Sequence, residues 1–328
     1  MGLPGFRSAR GGKPGGSYRG TRRRASNSHF PSEMPCQGPP DRIYATFVVR
    51  LRRLQPSRRR RKEMPKLAIQ DIELNYEEQG EGYPLVLIHG LNGDCSGWAG
   101  VMPELSRHYR VIAPDLRGHG ASGKPDLPYS IPLFAQDLFE FYRGLELERA
   151  HLLGLSMGGA IAQQFVLDHP EKVNCLILVS TFSRIDSHLR SVFQGLREKL
   201  RVGGYPAFFD EVVRLAFTSS YISSNSESIA DLKQKRIRIN SPVAIGRATE
   251  ACLSFHLGGK ISTIAHPTLI LSGREDIFTP LSLAEEISRS IRGSEWRIME
   301  GVGHNLHLER PAEMVSMMLD FLAAHQGR

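Results

Sequence analysis

Long apolar runs are missing from this sequence. Nowhere do about 18 consecutive apolar residues occur, the length a membrane-spanning helix needs, and no apolar segment of signal-peptide type follows the basic N-terminus. An integral membrane protein and a conventionally secreted one are both disfavoured, and a cytoplasmic location is the expectation. Cysteine is scarce as well. Cys36, Cys95, Cys175 and Cys252 lie far apart, with no CxxC pair and no Cys/His cluster at metal-ligand spacing. That argues against a disulfide scaffold and a structural zinc, and it suits a reducing compartment. No cofactor and no metal are expected. What remains is a chain of 328 residues, 41% hydrophobic and 23% charged, suited to a globular protein with one large α/β domain or two smaller ones.

The formal net charge of +8 is unevenly spread. Residues 1–63 hold 16 Lys+Arg against 3 Asp+Glu, whereas the remainder holds 26 against 31. All of the positive excess therefore sits in the first fifth of the chain. Residues 1–40 are rich in Gly, Pro, Ser and Arg and bury too little apolar surface to offset the entropy of ordering, so residues 1–63 read as a basic, disordered extension. A phosphate-binding arm, an organelle transit peptide and an over-extended gene start with Met64 as the true first residue all fit it, and the last is the preferred reading. No nucleic-acid partner is expected for residues 64–328.

From Leu67 onward the pattern changes. Leu67 to Tyr76 alternates apolar and polar residues as a half-exposed strand does, with Gly80 and Gly82 turning the chain. Short apolar runs follow at 84–89, 110–114, 150–155, 173–179 and 267–271, with a weaker one at 296–299. Helical segments lie between them. Phe134, Leu138, Phe141 and Leu145 share one helical face, residues 157–167 follow the third run directly, and a final helix starts at Pro311 with Met314, Met318 and Phe321 on one stripe. Runs buried on both faces and separated by helices predict a mostly parallel sheet with helices on each side. The alternation breaks once, between Thr181 and His266, where only helical patterns occur: around Leu189 to Leu200, over 206–217 and over 242–256. The predicted organisation is an α/β core of residues 64–181 and 267–328, with 182–266 as a helical lid over the carboxyl edge of the sheet.

Gly154-Leu-Ser156-Met-Gly158 fits G-x-S-x-G. With 30 serines and 32 glycines, chance supplies roughly 0.3 such matches, so the motif alone is weak. Its context is specific, because it stands where a buried strand ends and an apolar helix begins. A serine on that turn is forced into a strained backbone that lifts its hydroxyl out of the sheet, and small flanking residues let strand and helix approach. Such a hydroxyl needs a base to take its proton and a carboxylate to hold the base. Residues 273–276 (Gly-Arg-Glu-Asp) at the end of one later strand, and Gly303-His304 after the next, supply both in the expected order.

Together with His89-Gly-Leu-Asn-Gly93, the segment Ala113 to Gly120 (APDLRGHG), Gly273 to Pro280 and Gly301 to Pro311, these residues make the chain from about Leu67 to His325 resemble the α/β-hydrolase fold superfamily. The resemblance is nearest to its 3-oxoadipate enol-lactonase and carboxylesterase-like serine hydrolases. It implies Ser156 as nucleophile, His304 as base and then acid, Asp276 as the orienting carboxylate, and the backbone N–H groups of Leu91 and Met157 as oxyanion hole. Glu275 and His307 are the competitors for the acid and the base. The resemblance makes His89 a support of the oxyanion loop, and Arg117 and His119 are read as braces of the loop after Asp115. Trp98 is a candidate to bind substrate or merely to pack. Arg184, Arg190, Arg197 and Arg201 read as a solvated helix face in preference to a carboxylate site. The expected function is a serine hydrolase acting on a small-molecule ester or lactone. A carbon–carbon bond hydrolase of the meta-cleavage type, a cofactor-free haloperoxidase (perhydrolase), another acyl transferase and a non-catalytic binding homologue stand as alternatives.

Overall fold

The structure, a computed structural model, describes residues 64–325, so the expectations for 1–63 lie outside the described residues. Eight strands form one sheet: β1 Lys66–Ile69, β2 Ile72–Gln79, β3 Pro84–Ile88, β4 Arg110–Pro114, β5 Ala150–Leu155, β6 Val173–Val179, β7 Thr268–Gly273 and β8 Glu295–Met299. Their spatial order is β1-β2-β4-β3-β5-β6-β7-β8. Contacts from β4 to β8 are all parallel, while β1–β2 and β2–β4 are antiparallel. The helices are α1 Met102–Leu105, α2 Ile131–Gly144, α3 Met157–Asp168, α4 Ser187–Ala216, α5 Ser219–Ser224, α6 Ser226–Ile239, α7 Pro242–Leu253, α8 Leu281–Ser290, α9 Leu306–Glu309 and α10 Pro311–Ala324.

Continuous apolar strands arise because both faces of the sheet are covered. In β3, Val86 and Ile88 pack with Phe134 and Phe141 of α2 and Ile161 and Phe165 of α3, while Leu85 and Leu87 face Met102 and Leu105 of α1 and Met314, Met318 and Phe321 of α10. The methionine stripe is thus core. The first predicted strand is two: β1 and β2 form a hairpin whose two-residue turn puts Gln70 at φ 35. Ile69 and Ile72 pair across it, so the alternation continues through the turn, and no glycine marks the break.

Between β6 and β7 the chain is helical, α4 to α7. The long α4 breaks at Gly204 (φ 66, ψ −169), ahead of Pro206, which separates the two helical patterns read around Leu189–Leu200 and 206–217. α6 was not anticipated. Arg236 is its one fully buried residue, so no ordinary apolar stripe announces it.

Candidate active site

Ser156 joins β5 to α3 with φ 54 and ψ −118, a left-handed conformation that costs a non-glycine residue on the order of 1–3 kcal/mol. Tight packing holds it there. A Cβ on Gly154 would lie 2.2 Å from the Gly158 carbonyl oxygen, and one on Gly158 would lie 2.4 Å from the Ile88 carbonyl oxygen. The glycines of the motif therefore let β5, α3 and the end of β3 meet backbone to backbone. Thr181 adds a hydroxyl hydrogen bond to the Ser156 carbonyl at 2.6 Å. Gly158→Ala is accordingly expected to yield insoluble protein, or one with a melting temperature lowered by 10 °C or more (about 3 kcal/mol or more); a normal melt would contradict this packing account.

Gly159 and Ala160 N–H bond to the Ser156 carbonyl, which leaves the Met157 N–H in the first turn of α3 without an acceptor inside the helix. The positive end of the helix dipole points the same way. Opposite it runs the loop after β3. Gly90 sits directly over the serine, for a Cβ there would approach the Ser156 Cβ to 3.1 Å. Leu91 follows and lines the cavity.

His89 braces this loop. Its Nε2 accepts from the Leu116 N–H at 3.0 Å, so Nδ1 carries the proton and donates to the Gly90 carbonyl at 2.8 Å. Burial pushes its pKa down to about 4, and the ring is a neutral strut. Asp115 accepts from Cys95 N, Ala121 N and Asn75 Nδ2, tying the 115–121 loop to the rest. Arg117 forms paired hydrogen bonds to both Asp137 and Asp71, and His119 Nδ1 bonds the Arg117 carbonyl, as bracing requires.

His304 lies after β8, and its Nδ1 is 2.9 Å from Asp276 Oδ2. Asp276 is buried and well held: Oδ1 accepts from the N–H groups of Phe278 and Thr279, and Oδ2 from the Thr279 hydroxyl. Glu275, its neighbour, points to solvent, so the structure brings the imidazole to Asp276 and not to Glu275. Phe278 stacks on the His304 ring at 4.8 Å between centroids. Ser156 and His304 line the same cavity, of about 100 Å³. The hydrogen bonds of the ring run from Nδ1, to Asp276 and Thr279; among the described residues none joins it to the Ser156 hydroxyl. Nε2 is the ring nitrogen left without a hydrogen bond among the described residues.

His307 is fully buried, packed on Trp98 at 4.7 Å, and pushed down to about 3 by burial. Among the described residues no carboxylate orients it, and it is a poor base. Trp98 both packs and lines the cavity. Arg184, Arg190, Arg197 and Arg201 are exposed, with Arg184 paired to Glu286 and Arg201 to Glu198.

Arg236 is a cavity residue that the sequence reading missed. It is 5% exposed and donates from Nη1 to Asp94 Oδ2 at 2.5 Å. Burial alone would raise the Asp94 carboxyl; the Arg236 charge and the Ser96 hydroxyl hold it below its ordinary value. Ile229, Leu232, Arg236 and Asn240 keep one helical face, and the arginine stands where an apolar residue belongs. Phe209, Val212, Val213, Phe217 and Leu232 complete an apolar wall. The inserted helices also hold the histidine loop, since the Ala216 carbonyl accepts from His304 N and Asn305 N, and Glu309 accepts from both Thr218 and Gly303 N. Among the described residues no three His, Cys, Asp or Glu side chains converge as a metal site would need.

Four histidines that burial keeps neutral make a prediction about acid. His89, His119, His151 and His307 have pKa values of about 4, 3, 4 and 3 in the fold, against about 6.5 unfolded. Their contribution is complete above pH 6.5 and is lost as pH falls toward 4, each by at most about 1.4 kcal/mol per pH unit. Two carboxyls, buried Asp137 and half-buried Glu309, are pushed up by burial and oppose them. The melting temperature is expected to fall by several degrees between pH 7 and pH 5; a flat or rising profile would contradict the neutral assignments.

The alpha/beta hydrolase fold family model matches residues 83–311. A curated relative, 2-hydroxy-6-oxo-2,4-heptadienoate hydrolase of Pseudomonas putida, is 31% identical over 268 residues, 77% of this chain and 94% of its own length. Among solved structures, the enol-lactonase from Burkholderia xenovorans LB400 superposes with a TM-score of 0.74 at 28% identity, covering 79% of this chain and all of that one. A thermophilic esterase from Thermogutta terrifontis gives 0.72 at 27% identity, covering 80% and 98%. With its mostly parallel sheet and the serine elbow at the end of β5, the chain belongs to the alpha/beta hydrolase fold family, and it is a hydrolase.

Proposed function

We propose that the protein is a serine hydrolase that cleaves a small carboxylic ester or lactone through an acyl-enzyme. The observation that carries this reading is His304, its Nδ1 bonded to a buried Asp276, in one cavity with a serine held at positive φ. In the forward step Nε2 of His304 takes the Ser156 proton as Oγ attacks the carbonyl carbon. The developing oxyanion is received by the N–H groups of Leu91 and Met157; donors of this kind are worth about 3 kcal/mol each. The His304 imidazolium then protonates the departing alkoxide. Water, deprotonated by the same nitrogen, attacks the acyl-enzyme and releases the acid. Asp276 stays ionised throughout and fixes the tautomer in which Nε2 is a base. Residues 182–266 serve as a lid whose apolar wall keeps bulk water off the acyl-enzyme.

Arg236 favours a second reading, hydrolysis of a carbon–carbon bond in an anionic substrate. A buried guanidinium at the cavity suits a carboxylate, and the Pseudomonas putida relative is named for a dienoate. A panel of p-nitrophenyl esters, lactones and vinylogous diketones separates the two. Ester and lactone turnover without diketone cleavage is the expected result, and diketone cleavage alone would replace the first reading by the second. If Arg236 does meet a substrate carboxylate, Arg236→Gln should lower kcat/KM for an acidic ester at least about tenfold more than for its neutral analogue.

A further inference from the structure

The loop that offers Leu91 is gripped by side chains of the helical insertion that do not line the cavity. Residues 90–93 form a tight turn closed by Gly93 N–H to the Gly90 carbonyl at 3.0 Å. Asn92 occupies its third position with φ 65, the conformation a type II turn demands there and one asparagine tolerates. Asn92 Oδ1 accepts hydrogen bonds from the Tyr205 hydroxyl and, at 3.2 Å, from Asn240 Nδ2, which also donates to the Tyr205 oxygen at 2.7 Å. All three residues are buried. Tyr205 stands just past the Gly204 break in α4 and Asn240 just past the end of α6, so two separate helices converge on one carboxamide. Burial pushes the Tyr205 hydroxyl up to about 12, which keeps it a donor. At the other side of the turn Gly93 is pressed against His89, whose Nδ1 would lie 2.9 Å from a Cβ there.

We propose that Tyr205 and Asn240 are positioning residues for the oxyanion hole: by holding the Asn92 carboxamide they fix the turn that aims the Leu91 N–H at the reacting carbonyl. The inference rests on the assignment of Leu91 as an oxyanion donor made above. The physical reason is that a four-residue turn has one internal hydrogen bond and rocks readily about it. An N–H that must meet an oxyanion at 2.7–3.1 Å tolerates little such motion. The carboxamide is the one side-chain handle within the turn, since Gly90 and Gly93 have none and Leu91 is apolar. It follows that the hole is complete only while the insertion is seated on the loop.

The test is a set of variants assayed on a p-nitrophenyl ester and against a trifluoromethyl ketone, which adds the serine oxygen to form a tetrahedral oxyanion. Asn92→Gly keeps the positive φ but removes the handle. It should lower kcat about 10- to 100-fold, leave KM within about threefold, and weaken the ketone in step with kcat. Tyr205→Phe, which loses a single hydroxyl and is the variant least able to disturb folding, should lower kcat about 3- to 10-fold. Added to Asn92→Gly it should do nothing further, because its partner is already gone. An unchanged kcat in Asn92→Gly, or a Tyr205→Phe loss of equal size in both backgrounds, would overturn the proposal. Retained turnover in Ser156→Ala would instead overturn the serine-hydrolase reading on which it rests, so the two failures are told apart.

Discussion

Replacing Ser156 by alanine is expected to lower ester turnover by about 10⁴-fold or more, with KM nearly unchanged. The substitution removes one oxygen from a turn whose φ of 54 is imposed by its neighbours. Alanine relieves no clash and disturbs no hydrogen bond, since the serine backbone keeps its bonds to Val179 and Thr181. The protein should therefore fold with an unaltered or slightly higher melting temperature, and a loss of turnover would be chemical, not structural. The residue of activity left behind would measure what the Leu91 and Met157 N–H groups do for a water attacking directly. A variant that retains more than about one per cent of wild-type turnover would show that another group is the nucleophile.

The second large effect concerns Asp276. An amide there cannot accept from His304 Nδ1 through its nitrogen, and it must present that nitrogen as a donor at one of the two positions where the carboxylate oxygens now accept from four groups. Oδ1 takes two backbone N–H bonds and cannot become a donor without a clash, so in Asp276→Asn the nitrogen falls at the Oδ2 position, facing Nδ1 and the Thr279 hydroxyl. The imidazole must then accept at Nδ1 and carry its proton on Nε2, the nitrogen that should be the base. A fall in kcat of about 10³- to 10⁴-fold is expected, measured on the same ester, with partial recovery as pH rises and hydroxide takes over the role of the base. Glu275→Gln, one residue earlier and exposed, should leave kcat within about twofold. The reverse pattern would hand the orienting role to Glu275.

What was legible in the sequence was what burial on two faces writes plainly. Strands such as Leu85 to Ile88 and Cys175 to Val179 are apolar at every position because helices cover both sides, and no helical or turn pattern competes. The serine elbow was legible because a Cβ on Gly154 or Gly158 would come within 2.2–2.9 Å of backbone atoms, so no other residue fits there. Three features were not. The β1–β2 hairpin turns at Gln70 and Asp71 without a glycine, and pairing of Ile69 with Ile72 preserves the apolar alternation through the bend. The choice between Glu275 and Asp276 depended on the register of a loop, and that register comes from Phe278 and Thr279 N–H groups folding back on the aspartate. Helix α6 eluded the reading because its buried face ends in Arg236 and Asn240, polar groups whose partners, Asp94 and Asn92, are more than 140 residues away in the chain. Polar burial of that kind is paid for by tertiary contacts, and local pattern cannot reveal it.

The most direct test of the central claim is covalent capture. Wild-type protein treated with a fluorophosphonate and digested should yield one modified peptide, with the phosphonyl group on Ser156. Labelling should be lost in Ser156→Ala and greatly slowed in His304→Ala. A wild-type protein that takes no label, or takes it on another residue, would contradict the account.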